Sequence, residues 1–189
     1  LLLDVYARQA AEICGIEMLQ QLTRRETEER LGAELVEQLL DSGYDLRAVA
    51  ARMTHLGYDL SSGRHHLVVA YVAGEGSERT CCDDAAHDLR WIAERDGANV
   101  LIVRYREAVL CLCSFAGDLP DRRARAWVRE SLANLNNRVC HAGVSRLLED
   151  VSGLREGAAQ ALDAVSLGQR IVQRISPYYY EELGLYRLL

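Results

Sequence analysis

Apolar residues recur every three or four positions in the first 40 residues of the chain, and this spacing predicts a long helix. One apolar stripe along this helix consists of Leu3, Ala7, Ala11, Cys14, Met18 and Leu22. A second apolar flank beside it consists of Leu2, Tyr6, Ile13 and Ile16. Residues 23–30 are polar, and the apolar spacing resumes over residues 31–40. Thr23 and Glu26 also fit a capping box, so two consecutive helices are an open alternative.

A helix with apolar residues on two sides usually has two packing partners, and the polar residues 23–30 predict a solvent-exposed middle. This arrangement suits a connector between two bodies, and a surface helix of one larger domain fits equally well. We predict that the stripe packs against the same helix of a second copy, which gives a homodimer. The alternative is a monomer in which the helix folds back over its own body and covers Ile13 and Ile16.

The rest of the chain alternates between strand-like and helix-like patterns. β-branched and apolar runs predict strands, and apolar residues at helical spacing between Asp, Pro and Gly signals predict helices. After a short helix at 45–56, the predicted order is a strand at 66–72, a helix at 83–95, strands at 100–105 and 108–115, a helix from 120, a strand at 139–144, a helix at 154–172 and a short tyrosine-rich strand. Arg106 and Glu107 join the two middle strands as a hairpin.

The order βαββαβ predicts an α+β fold of the ferredoxin-like type, in which an antiparallel sheet carries helices on one face. The long N-terminal helix precedes this core. The predicted organisation is a connector helix at 1–42, a short helix and link at 43–62, the ferredoxin-like domain at 63–180 and the start of a further helix at 181–189. The last segment is apolar and has no cap, which is typical of an element that continues.

The composition limits the classes of function. Nucleic-acid binding favours a concentrated positive face, and the net charge of −6 therefore predicts that this chain does not itself bind DNA. All 22 basic residues are arginine, which excludes a phosphate-loop lysine and a Schiff-base lysine. No apolar stretch reaches the length of a membrane span, and no secretory signal is recognisable. We expect a cytoplasmic protein without a membrane partner.

The six cysteines are predicted to be reduced and structural, because none of them forms a CxxC pair. Cys111 and Cys113 alternate with leucines in a strand pattern, so both should face one side of the sheet as small apolar residues. A metal site that combined them with Cys140 and His141 would lack paired ligand spacing. We therefore expect no metal and no cofactor.

The sequence gives little support for the other candidate sites. The loop at 74–77 contains a single GxG, and Glu75 would repel a phosphate. His65 and His66 begin a strand and should point to opposite faces, and His87 is expected to be partly exposed. A basic helix face consists of Arg122, Arg123, Arg125 and Arg129. No nucleophile occurs with a base and an orienting acid, so we expect no catalytic residues.

Four segments resemble the central domain of PucR/CdaR-type bacterial transcriptional regulators. They are GVS at 143–145, VSGLR at 151–155, AAQALDAV at 158–165 and LGLYRLL at 183–189. The stretch EERLGAELVEQLL at 28–40 also resembles the link from the sensor domain of these regulators. The central domain of this family is a degenerate relative of the GGDEF diguanylate cyclase fold. The resemblance implies that 63–180 is a GGDEF-like domain and that 1–42 ends an upstream sensor domain.

In this family the LGLYRLL motif is followed by a helix and by a C-terminal helix-turn-helix that binds DNA. The resemblance implies that residues 181–189 begin the linker to such a domain. That domain would lie outside this chain, and DNA would be contacted only there. A signal-relaying protein is implied as well, and a small-molecule effector is an open partner.

The resemblance to cyclases does not extend to their catalytic residues. Cyclases of this fold carry two glycines, two acids and a Phe on the central hairpin, where the glycines admit the nucleotide and a carboxylate holds Mg²⁺. The corresponding hairpin at 104–109 has no glycine and a single acid, Glu107. A second metal carboxylate is expected near the end of the first strand, where residues 70–73 are Ala-Tyr-Val-Ala. Two-metal phosphoryl transfer needs a pair of carboxylates, so we expect no enzyme activity.

The sequence thus predicts a non-catalytic regulatory and connecting region of a one-component transcriptional regulator. One alternative is a receptor domain that binds a nucleotide or another small ligand in a pocket retained from the cyclase fold. Another alternative is a purely structural dimerisation module.

Overall fold

The computed structural model describes residues 2–41, 43–55, 58, 65–73, 80–96, 98–116, 120–135, 140–171 and 177–184. The helices are α1 Leu2–Leu40, α2 Leu46–His55, α3 Thr80–Asp96, α4 Pro120–Asn134 and α5 Leu154–Ile171, with a 3-10 turn at Val151–Gly153. The strands are β1 His65–Ala73, β2 Asn99–Tyr105, β3 Ala108–Phe115, β4 Cys140–Val144 and β5 Tyr178–Tyr179. The type and order of these elements confirm the α+β prediction.

Helix α1 is one continuous helix of 39 residues, so the alternative of two consecutive helices is wrong. The hydroxyl of Thr23 does not cap a new helix, because it donates to the carbonyl oxygen of Leu19 at 2.9 Å. Thr27 donates to the carbonyl oxygen of Thr23 at 2.8 Å. Both hydroxyls are thus satisfied inside the helix. Neither α1 nor any other described helix is both long and apolar enough to cross a bilayer.

Helix α2 is fixed at its start and along one face. The side chain of Asp45 accepts a hydrogen bond from the backbone N–H of Arg47 at 3.0 Å, as an N-cap residue does. Val49 and Met53 are buried and anchor the helix to the core.

The five strands of the described residues form one sheet in the order β2-β3-β1-β4-β5. β1 is antiparallel to both β3 and β4, and β2 is antiparallel to β3. Each crossover, through α3 or α4, therefore skips one strand. β5 joins the edge in parallel with β4, so that Tyr178 is opposite Gly143. The four strands of the βαββαβ core are therefore antiparallel to their neighbours, as predicted, and only the additional short strand β5 in the described sheet is parallel to its neighbour.

Helices cover both faces of the sheet, and the prediction of helices on one face holds only for the two crossover helices. α3 and α4 pack on the face that carries Val69, Cys111 and Val144. Helices α2 and α5 and the C-terminal part of α1 pack on the face that carries Val68 and Leu112. Strand β3 is buried at every position except its last, so it has apolar side chains on both faces of the sheet. Both faces must therefore be shielded from water, and helices on both sides do so.

Small residues allow α5 to approach the sheet closely. A Cβ atom on Gly143 would lie 2.0 Å from the carbonyl oxygen of Ala161, and a Cβ atom on Gly157 would lie 2.7 Å from a methyl group of Leu148. A side chain at position 143 would therefore push α5 away from the sheet, and one at position 157 would displace the side chain of Leu148.

Candidate functional site

The turn between β2 and β3 lies at one end of the sheet, next to the end of β1 and the start of β4. In the strand register, Val72 pairs with Ala108 on one side and with His141 on the other, and Tyr105 also pairs with Ala108. We call these four residues the hairpin edge. Cyclases of the resembled fold carry their glycine and acid motif at the corresponding hairpin. Residues that bind or convert a nucleotide would therefore be expected at this edge.

Arg106 and Glu107 turn the chain at the hairpin edge. Arg106 has a φ of 56°, in the left-handed region that two-residue hairpins require and that favours glycine. Its guanidinium lies 5.1 Å from the centroid of the Tyr105 ring, which is a stabilising cation–π distance. Both turn residues are exposed. The turn thus presents a cation and an aromatic ring where the cyclase motif has glycines.

On the β4 side of the hairpin edge, His141 contacts Tyr178 of β5. Its Nδ1 lies 3.2 Å from the Tyr178 hydroxyl, and the two rings stack with their centroids 5.9 Å apart. Burial raises the pKa of the Tyr178 phenol, so that the hydroxyl is neutral at physiological pH. The pair therefore joins the C-terminal strand to the start of β4 without bringing a carboxylate to the edge.

The structure separates the residues considered for a metal site. Cys111 and Cys113 are buried between the sheet and helices α3 and α4, whereas His141 contacts Tyr178, a member of the core on the opposite face. Burial raises the pKa of both thiols, so they are protonated at neutral pH. The side chain of Cys140 is not among those described. Within the described ranges, no group of three or more His, Cys, Asp and Glu residues could hold a metal ion.

The histidines singled out from the sequence do not form a site. The main chain of His66 exchanges two hydrogen bonds with that of Leu148, both at 2.8 Å, and its side chain is buried. His65 precedes it in the same strand and so faces the other side of the sheet. His87 is exposed. The glycine-containing loop at 74–77 lies outside the described residues.

One arginine of the basic face of α4, Arg125, pairs with acidic residues in contacts that the sequence does not predict. Arg125 lies 3.2 Å from carboxylate oxygens of Asp121 and Glu182, and 3.8 Å from Glu181. Its guanidinium also lies 4.2 Å from the centroid of the Tyr179 ring. Arg125 therefore ties α4 to the C-terminal segment at 177–184. The other arginines of this face are exposed: Arg122, Arg123 and Arg129.

The N-terminal part of α1 is exposed. All residues from 11 to 20 are solvent-accessible, including the described members of the predicted stripe, Ala11, Cys14 and Met18. Ile13 and Ile16 of the second flank are 64% and 58% exposed, so the structure does not show the folded-back arrangement. The side chains of Leu3, Ala7 and Leu22 are not among those described.

The C-terminal part of α1 is built into the core. Leu35, Val36 and Leu39 are buried there. Arg155 of α5 donates from Nε to the carbonyl oxygen of Leu39 at 3.0 Å and from Nη2 to that of Asp41. The guanidinium thus satisfies carbonyl groups that have no partner within the ending helix. The sequence does not predict this cap, because 116 residues separate Arg155 from Leu39 and no local pattern connects them.

Comparison with solved structures finds a similar fold in the crystal structure of a regulator of polyketide synthase expression from Bifidobacterium adolescentis. The sequence identity is 15% and the TM-score is 0.53, so the similarity concerns the fold alone. The match covers 76% of this chain and 55% of that one, and the chain thus spans about half the length of that protein. No curated protein matches the chain.

Comparison with protein families finds a match over residues 41–167, to the GGDEF-like domain. The matched segment includes all four strands of the βαββαβ core and the hairpin edge. It takes up more than half of the sequence, so the chain belongs to the family of GGDEF-like domains.

Proposed function

We propose that this chain is the regulatory and connecting region of a cytoplasmic, one-component transcriptional regulator of the PucR/CdaR type, and that it is not an enzyme. One observation carries the proposal: a single helix, α1, is exposed at residues 11–20 and has its other end in the core of the GGDEF-like body. A signal received upstream acts on the exposed part. The body passes it to a DNA-binding helix-turn-helix that lies outside this chain.

Direct contacts lead from α1 across the body to the C-terminal segment. Arg155 joins the end of α1 to α5, and α5 holds the ring of Tyr178 against Gly168. Tyr178 opens β5, and the proposed DNA-binding domain would follow this strand in the sequence. A shift of α1 can therefore reach the C-terminal segment through two packed contacts, which is the kind of physical route that coupling requires.

The proposal of a non-catalytic role is supported by the hairpin edge. The turn residues Arg106 and Glu107 replace the glycines of the cyclase motif, and residues 70–73, near the end of β1, are Ala-Tyr-Val-Ala where a second metal carboxylate is expected. Incubation of the chain with GTP or ATP and Mg²⁺ should yield no product. A cyclic or hydrolysed nucleotide would contradict the proposal, and nucleotide binding without turnover would instead indicate the receptor alternative.

DNA binding tests the proposed division of labour. The 189-residue chain is compared with a longer version that includes the residues encoded after Leu189, on DNA from upstream of its own gene at physiological salt. We expect only the longer version to bind, and its added sequence to contain a helix-turn-helix. High-affinity binding by the 189-residue chain alone, or the absence of a DNA-binding domain from the longer protein, would contradict the proposal.

A further inference from the structure

A cavity of about 420 Å³ lies at the end of the sheet opposite the hairpin edge. It is bounded by the start of β2, the end of β3 and one side of α4, and its polar lining residues are Asp96, Asn99, Ser114, Arg123, Trp127 and Glu130. This volume falls within the usual range of pockets that bind small molecules. Neither the comparisons nor the proposed regulatory role assigns a ligand to it.

Trp127 lines this cavity and has an unsatisfied donor. The residue is only 7% exposed, and its indole N–H is buried without a hydrogen-bond acceptor among the described residues. The hydroxyl of Ser114, another lining residue, is also buried without a partner there. Buried indole N–H groups are normally paired, because an unmade hydrogen bond leaves the full desolvation cost. An acceptor supplied by a ligand would remove that cost.

Arg123 also lines this cavity, and only one of its guanidinium nitrogens is hydrogen-bonded among the described residues. Its Nη1 donates to the carbonyl oxygen of Ala116 at 2.8 Å, which fixes the direction of the side chain. The Nε and Nη2 donors have no partner in the described part of the chain. A guanidinium presents its donors as a planar fork that matches the two oxygens of a carboxylate.

The negative charge of the two acids of the cavity is offset, because a neighbouring cation, Arg95, is bonded to both and Arg123 supplies a second positive charge. Arg95 donates from Nε to Asp96 at 2.7 Å and from Nη2 to Glu130 at 2.8 Å. Its guanidinium is held over the Trp91 ring, 5.4 Å from the centroid. Among the described lining residues, the groups with unused hydrogen-bond donors are therefore the guanidinium of Arg123, the indole N–H of Trp127 and the hydroxyl of Ser114.

We propose that this cavity binds a small organic carboxylate. Arg123 pairs with the carboxylate, the indole N–H of Trp127 donates to the ligand, and the small side chains of Ala98 and Ala126 leave room for its apolar part. The proposal goes beyond the regulatory role and does not depend on it, because binding is measured on this chain without DNA.

The fluorescence of Trp127 allows a direct test. The chain has two tryptophans, so Trp91→Phe, at an exposed position, leaves Trp127 as the only one. Benzoate, benzamide and benzamidinium are similar in shape and differ in charge, and each is titrated into this variant. We expect a saturable change with benzoate and at least about tenfold weaker binding of benzamide, as the loss of a charge-assisted hydrogen bond predicts. Benzamidinium should not bind.

Two arginine variants in the same background separate binding at the cavity from general charge effects. Arg123→Gln should weaken benzoate binding by about tenfold or more. Arg122→Gln is the matched control, since it removes the same charge one residue away from a side chain that does not line the cavity, and it should leave the affinity unchanged. Unchanged thermal midpoints show that both variants fold. The absence of saturable benzoate binding, preferential binding of benzamidinium or equal effects of the two variants would overturn the proposal.

Discussion

The ring of Tyr178 lies so close to Gly168 that a Cβ atom on the glycine would be 2.2 Å from Cγ of the ring. Tyr178 begins β5, a strand of only two residues, and Gly168 lies near the end of α5. The tyrosine ring therefore occupies the space that any side chain at position 168 would need. This packing holds the C-terminal segment against the body.

Gly168→Ala should destabilise the protein, although alanine is a better helix former than glycine. The added methyl group would displace the ring of Tyr178, and overpacking of this kind costs about 1–3 kcal/mol, more than the gain in helix propensity of about 1 kcal/mol. Gly32→Ala is a matched control in α1. There the nearest atoms, on Val103 and Leu101, would be at ordinary contact distances of 3.5 and 3.7 Å. Urea unfolding should show a lower free energy for Gly168→Ala and an equal or higher one for Gly32→Ala.

Strand positions could be predicted from the sequence because their signal is local. Leu110, Cys111, Leu112 and Cys113 are apolar at every position, which is the pattern of a strand buried on both faces, and both faces are indeed covered. The element order βαββαβ, by contrast, predicts helices on one face only. The sequence does not predict which helices cover the second face, because their positions depend on contacts between distant parts of the chain.

The contacts at the candidate sites could not be predicted for the same reason. Arg125 has a local partner, Asp121, but its contact with Tyr179 crosses from α4 to the C-terminal segment. The cavity lined by Trp127 is formed by β2, β3 and α4 together and corresponds to no motif. These residues come together only when the chain packs in three dimensions. Local patterns in a single sequence do not show which distant residues will be in contact.

Arg155→Gln should loosen the connection between α1 and α5. The change leaves the carbonyl groups of Leu39 and Asp41 without their charged donor, at an expected cost of about 1–3 kcal/mol in the free energy of unfolding. Arg155→Lys, which keeps the charge but not the fork, should lie between this variant and the wild type. Amide hydrogen exchange in the last turn of α1 should accelerate in parallel. Arg122→Gln, at an exposed position, is the control, and equal effects of the two glutamine variants would refute the capping role.

Alkaline pH should reduce the stability of the protein through Cys111 and Cys113. Burial raises the pKa of both thiols above that of an unfolded cysteine, about 8.5, so above that pH the unfolded chain loses protons that the folded chain retains. The free energy of unfolding should then fall by about 1.4 kcal/mol per pH unit for each thiol, whereas it is unaffected by them below that pH.

The slope of stability against pH separates these thiols from other groups. A double variant with alanine at Cys111 and Cys113 should be less stable at pH 7 but should show a shallower decline between about pH 8.5 and 10. Cys14→Ala, at an exposed cysteine, should follow the wild-type slope. Parallel slopes for the double variant and the wild type would show that the buried thiols do not cause the decline.

Arg125→Gln should release the C-terminal segment without unfolding the body. The variant loses the ion pairs to Asp121 and Glu182 and the cation–π contact with Tyr179, each worth about 0.2–1 kcal/mol at a partly exposed site. The amide of Tyr180, which is bonded to β4, should exchange several times faster as a result.

Two further readouts identify the cause of that release. Burial raises the pKa of Tyr179 and the charge of Arg125 lowers it, so removal of the charge should raise this pKa further in an NMR titration. High salt should reduce the difference between wild type and Arg125→Gln, because it screens the ion pairs. Arg129→Gln, one turn further along α4, should leave the Tyr180 amide unaffected. Equal acceleration in both variants would contradict the role given to Arg125.

The exposed part of α1 should form the interface of a homodimer. Residues 11–20 are exposed in the single chain, and Ile13, Ile16, Met18 and Leu19 are each more than half exposed. A helix that leaves so much apolar surface in water is stabilised by a partner, and a second copy of the same helix supplies a matching surface. Each fully buried leucine or methionine adds about 2 kcal/mol, so a few pairs across a two-fold axis would hold a dimer at micromolar concentration.

Two charge substitutions on opposite sides of α1 test the predicted stripe of Leu3, Ala7, Ala11, Cys14, Met18 and Leu22. Ala11→Glu places a charge within the stripe and should convert the dimer to a monomer in sedimentation experiments, because an unpaired charge in an apolar interface is costly. Gln20→Glu adds a charge nine residues along the helix, about 180° around its axis and on the side of Ile13 and Ile16 of the second flank. It should leave the dimer intact when the stripe is the interface, and a monomer would assign the interface to the second flank instead. A wild-type monomer at tens of micromolar would refute the dimer. A dimer that survives Ala11→Glu would place the interface on a different surface of the chain.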